Sequence, residues 1–123
     1  MSASPAAIRP QSRSVSRRAL KAAERAEDAA AKFRLIGDPT RLAILDELSH
    51  GECCVCDLVD VLGVAQPLLS HHLRALRDAG LVIDRRSGRW AYYTLVPNAL
   101  ADLQEVLRTL AGPKAPRRRD CAR

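Results

Sequence analysis

Apolar residues recur at helical spacing from early in the chain. Between residues 18 and 36, Leu20, Ala23, Ala26, Ala30 and Phe33 form one stripe of an alanine-rich run that Gly37 ends. Small residues on such a stripe let a partner helix come close. Asp38-Pro39 opens a second helix, because Asp caps well and Pro suits the first turn. Its stripe is Leu42, Ile44, Leu45 and Leu48, and Gly51 stops it. A third, short helix runs from about Cys54 to Leu62, closed by Gly63. A fourth runs from Gln66 to Ala79, with Pro67 in its first turn and Gly80 after its end. The period then changes. Two β-prone runs, Leu81-Val82-Ile83 and Trp90 to Leu95, flank a Ser87-Gly88 turn and predict a hairpin. Pro97 and Asn98 open a last helix, with Leu100, Leu103, Val106, Leu107 and Leu110 on one face.

Four helices, a hairpin and a helix is the order of a winged helix-turn-helix with one helix added at each end. The fold class is therefore mainly α with a small β-hairpin. The turn Gly63-Val64-Ala65 has the length that a helix-turn-helix needs. The 123 residues suit one domain, and 47% apolar with 28% charged residues is a globular composition. No apolar run reaches the roughly 18 residues of a membrane span, so a soluble, cytoplasmic protein with no membrane partner is expected.

Charge sharpens this picture. Of the net +6, residues 1–18 carry Arg9, Arg13, Arg17 and Arg18 and no acid, and residues 113–123 carry five bases against Asp120. The expected organisation is a flexible basic arm over 1–17, the folded domain over 18–112 and a basic tail over 113–123. Basic arms on a nearly neutral body point to a polyanion, nucleic acid first, with a role in solubility as the alternative. A core this small also gains from a second subunit.

The fourth helix carries the nucleic-acid argument. Leu69, Leu73 and Leu76 face the core, while Gln66, Ser70, His71, Arg74 and Arg77 fall on the other side or near its edge. Gln reads adenine, Ser meets bases or phosphates, and Arg suits guanine or phosphate. Gln66 and Pro67 stand at the end that enters a major groove. On the hairpin, Arg85, Arg86 and Arg89 offer charge to the backbone or minor groove. Trp90, Tyr92 and Tyr93 are expected to pack the hairpin on the body, with base contact as the alternative, and His72 to pack or to lie on the helix surface.

Cys53-Cys54-Val55-Cys56 is the second constellation. Within a helix, residues two apart point about 200° away from each other and cannot share an ion. Cys54 and Cys56 can share one if Cys54 lies at the helix start, where the backbone is not yet helical. A helix N-terminus also favours thiolate over thiol, which primes the site for a thiophilic ion. Four cysteines in a cytosolic chain suit metal or redox chemistry better than structural disulfides.

Residues 33–95 resemble the ArsR/SmtB family of metal-responsive winged-helix repressors. The matching pieces are Gly37-Asp38-Pro39-Thr40-Arg41-Leu42, Gly51 to Leu58, Gln66 to Leu73, Leu76 to Val82, and the hairpin Arg86 to Tyr93. The resemblance implies a homodimer, built on residues 18–36 and 98–111, that binds operator double-stranded DNA at an imperfect inverted repeat. It also implies As(III) or Sb(III) as inducer, held by Cys54, Cys56 and a third thiol. The chain departs from the family at Val59, where the arsenical pattern has its third Cys, and at Ala65, where a capping Ser is usual. Cys53 is the expected replacement ligand, since residues three apart can share a helical face, and Cys121 is the alternative. The Asp and His sensing site of the family's last helix has no counterpart, because residues 97–112 hold Asp102 and Glu105 but no His.

Rival inputs on the same fold are Cd(II) or Pb(II), and oxidation of the thiols. An enzyme with a Cys nucleophile needs a base and an oxyanion site. His50 is near, but no Asn or Asp partner or Gly-rich loop accompanies it, so no enzyme is expected. A ligand-free nucleoid-type protein is the remaining alternative.

Overall fold

The computed structural model describes residues 15–114 and residue 116. Residues 1–14 of the basic arm, and the tail's Arg117 to Arg119 and Cys121, lie outside the described residues.

Within them the chain forms α1 Arg17–Ile36, α2 Pro39–Leu48, β1 Cys53–Cys54, α3 Val55–Leu62, α4 Gln66–Asp78, β2 Val82–Ser87, β3 Trp90–Leu95 and α5 Ala101–Ala111. This is a mainly α fold with a small antiparallel hairpin, the winged helix-turn-helix order. No helix among the described residues is long and apolar enough to cross a membrane.

The core lies where α2, α3, α4 and the sheet meet. Ile44, Leu45, Leu48, Leu58, Leu69, Leu73, Leu76, Leu81, Val82 and Tyr93 are buried together. Leu69, Leu73 and Leu76 have no exposed surface, so the dry face of α4 is seated against the body. Each such leucine stabilises the fold by about 1.5–3 kcal/mol. Leu42 departs from its expected stripe and is 54% exposed. The caps follow the sequence. Asp38 accepts a hydrogen bond from the Arg41 amide at 3.1 Å. Gly63 ends α3 at φ 65°, a left-handed conformation that costs glycine little. Ala65 makes no side-chain cap on α4.

Two elements differ from expectation. β1 has no pattern of its own. It pairs with β3, Cys53 opposite Tyr93 and Cys54 opposite Tyr92, and completes a three-stranded sheet in the order β1-β3-β2. The last helix starts at Ala101 rather than at Pro97, because Asn98 takes φ 64° and turns the chain before the helix begins. The helices α1 and α5 pack on each other beside the core. Lys32 Nζ joins them, donating to the Ala99 carbonyl at 3.0 Å and pairing with Asp102 at 3.2 Å.

Candidate nucleic-acid interface and thiol site

The helix α4 and the hairpin enclose a groove of about 320 Å³. Gln66, Ser70, Arg74 and Arg77 line it from α4, and Asp84, Arg86, Arg89, Trp90, Ala91 and Tyr93 from the wing. The strand alternation explains the wing's share: Asp84 and Arg86 stand opposite Tyr93 and Ala91 and point to the same face. Arg74, Arg86 and Arg89 make no salt bridge among the described residues, so their charge is open to an anion. Gln66, Pro67 and His71 are exposed along α4.

Not every expected contact faces this groove freely. Arg77 is half-buried, 3.7 Å from Asp84 and 3.5 Å from Asp78, and so ties α4 to β2. Arg85 lies on the opposite sheet face. Its Nε and Nη2 donate to the two oxygens of Glu52 at 2.8 and 2.9 Å. Its guanidinium stacks 4.6 Å over the Tyr92 ring. The hydrogen bonds from Arg85 hold the Glu52 carboxyl below the usual glutamate range. The expected packing role holds for buried Tyr93 and half-buried Tyr92 but not for Trp90, which is 49% exposed at the wing. His72 takes the packing role of its two expected ones: it is buried, and its Nδ1 accepts from Arg41 Nε at 2.9 Å, fastening α4 to the start of α2. Leu68 was missed by the sequence reading because it lies off the apolar stripe; it is 50% exposed between Gln66 and His71.

The cysteines stand where β1 runs into α3. Cys54 is the N-cap of α3, with extended φ −82° and ψ 159°, and its sulfur accepts a hydrogen bond from the Asp57 amide at 3.3 Å. That non-helical residue lets its sulfur meet the Cys56 sulfur, and the two are joined as a disulfide with their Cα atoms 5.4 Å apart. Cys56 also lines the groove between α4 and the wing. Sulfurs of Cys54 and Cys56 and a carboxylate oxygen of Asp57 form a ligand cluster. Asp57 escaped the sequence reading, which considered sulfur alone.

Cys53 is not in that cluster. It lies in β1 rather than on a helix, so the helical spacing that would align it with Cys56 does not apply. Alternation along β1 turns it to the face of Tyr93, while Cys54 shares the face of Tyr92. Its sulfur lies 3.7 Å from the Gly51 carbonyl. Burial, then the nearby Glu47, Asp57 and Glu52, push the Cys53 thiol up. At this cysteine the expected thiolate priming is reversed.

Residues 38–84 match the family model described as "Bacterial regulatory protein, arsR family". An uncharacterised HTH-type transcriptional regulator of Methanocaldococcus jannaschii is 41% identical over 85 residues, which is 68% of this chain and 96% of that protein. The arsenical resistance operon repressor of Escherichia coli is 48% identical over 76 residues, 61% of this chain and 65% of that protein's length. A solved structure of a possible transcriptional regulator for arsenical resistance superposes with a TM-score of 0.59 at 33% identity, covering 66% of this chain and 84% of that one.

Proposed function

Since this chain belongs to the arsR family of DNA-binding transcriptional regulators, we propose that it is a metalloid-responsive repressor. It binds operator DNA as a homodimer and leaves it when As(III) or Sb(III) is captured by thiols at the start of α3. The observation that carries this reading is the meeting of Cys54 and Cys56, with Cys56 lining the groove that holds Gln66, Ser70 and Arg74. In this reading α4 enters a major groove with Gln66, Pro67, Ser70, His71 and Arg74 at the bases and phosphates, and Leu68 against a thymine methyl. Arg86 and Arg89 take the backbone or minor groove beside it. Arg77 and Arg85 serve by bracing the reader and the wing.

Capture needs the dithiol form. Arsenous acid then condenses with thiols, one As–S bond forming and one water leaving per sulfur. Cys54 and Cys56 supply two sulfurs. The third comes from Cys53, which must first leave the Gly51 carbonyl, or from Cys121. An ion between the two sulfurs changes the cap of α3, the first arm of the helix-turn-helix, and so re-aims α4. Taking an operator from 99% to 1% occupied needs about 5.5 kcal/mol of differential binding.

The disulfide favours a second reading in which oxidation of Cys54 and Cys56 is the input. Titration of the operator complex with arsenite and with peroxide, on wild type and on Cys53→Ser, Cys54→Ser, Cys56→Ser and Cys121→Ser, separates the two. Arsenite should release the wild type but neither the Cys54 nor the Cys56 variant, and the third ligand is the one whose loss weakens release most. Full release of the Cys54 or Cys56 variant by arsenite would overturn the metalloid reading, and release by peroxide alone would favour the redox one. Cd(II) or Pb(II) in place of arsenite tests the divalent alternative through thiolate charge-transfer absorption.

A further inference from the structure

We infer that Glu52 and Arg85 are positioning residues that pass the state of Cys54 to the wing directly, without going through α4. This rests on the proposal above that Cys54 and Cys56 capture the inducer. Cys54 pairs with Tyr92 across β1 and β3. Arg85 stands opposite Tyr92 across β2 and β3 and stacks on its ring at 4.6 Å. Two residues before Cys54, Glu52 holds Arg85 through both carboxylate oxygens, at 2.8 and 2.9 Å, and accepts from Thr94 Oγ1 at 3.3 Å.

Glu52, Arg85, Tyr92 and Cys54 thus stand together on one sheet face, Glu52 bonded to Arg85, Arg85 stacked on Tyr92, and Tyr92 in register with Cys54. The bidentate fork fixes distance and angle together, which a single-point contact does not. A surface ion pair of this kind adds little to stability, so its value lies in geometry. The Cys54 sulfur also caps α3 by accepting a hydrogen bond from the Asp57 amide. An ion on that sulfur disturbs this cap and shifts Cys54 against Tyr92 across the β1–β3 pairing. The wing, whose opposite face carries Arg86 in the groove, shifts with it.

The test is residue-resolved amide hydrogen exchange of the reduced, full-length protein, with and without arsenite, with thiol titration on the same samples to count occupied cysteines. In wild type, arsenite should change exchange of the wing amides Arg86 to Ala91 by roughly two- to thirty-fold. In Glu52→Gln and in Arg85→Gln, arsenite should still occupy the thiols while the wing change falls by half or more. Arg85→Lys keeps the charge but neither the bidentate fork nor the planar stacking, so the wing change should stay nearly as small as in Arg85→Gln, whereas a merely stabilising charge pair would let Lys restore it. Single variants that keep the full wing change with occupied thiols would overturn the inference. So would wild type that takes up arsenite with a silent wing, or an Arg85→Lys variant that keeps the full wing change. If wild type takes up no arsenite, the functional proposal fails and this inference with it.

Discussion

Arg85 and Arg86 are neighbours on β2 and face opposite ways. Arg86 lines the groove beside α4, whereas Arg85 is paired with Glu52. Losing a phosphate contact should lower the slope of log affinity against log salt by about 1. Arg86→Gln is therefore expected to flatten that slope and Arg85→Gln to leave it unchanged, read by fluorescence anisotropy on duplex DNA at several salt concentrations. Acid acts on the same pair. The Glu52 carboxyl is lowered by its bonds from Arg85. Its contribution is complete above the ordinary glutamate range and is lost as pH falls through its depressed value. At Cys53 the sign is opposite in consequence: a raised thiol pKa means less thiolate at neutral pH. In a variant carrying both Cys54→Ser and Cys56→Ser, iodoacetamide should label Cys53 with a pH midpoint above that of a free cysteine, followed by peptide mass mapping. The sequence placed Cys53 among candidate ligands by spacing alone. Only its strand conformation shows that its sulfur faces away.

The helix α4 was legible as an element, because three leucines at helical spacing and a run of donors on the other side identify both its faces. Its missing cap was legible too, and Ala65 makes no side-chain bond. Ala65→Ser should restore an acceptor to the first turn of α4 and stabilise the protein by about 0.5–2 kcal/mol in urea unfolding. An unchanged midpoint would mean that the α4 start is satisfied by other means. The strand β1 was not legible. A strand of two residues has no period, and the residues that define it, Tyr92 and Tyr93, lie about 40 positions away. The start of α5 was misplaced for a related reason. Pro97 suits a first turn, but Asn98 tolerates a left-handed backbone, and the chain turns there.

At the scale of the whole molecule, Leu20, Leu107 and Leu110 are 45%, 54% and 63% exposed on α1 and α5. Lone exposed leucines are ordinary, but these lie on the two helices that pack beside the core rather than within it. They offer an apolar surface to the homodimer proposed above. Leu107→Glu combined with Leu110→Glu should give a folded monomer by light scattering that binds operator DNA at least about tenfold more weakly, because each half-site then binds alone. A double variant that remains dimeric would place the interface elsewhere.

Local chemistry fixed a good deal before any folding was considered. Periodicity, caps and glycine stops name the helices, the dry and wet faces of α4 and the crowding of sulfur at the head of α3, because each depends on residues within a turn or two of one another. Which arginines are open to an anion, which cysteine turns aside, and the joining of Glu52 to Arg85 were decided only in three dimensions. Those outcomes depend on which strand face a side chain takes and which distant residue meets it there, and that is settled by the pairing of β1 and β2 with β3.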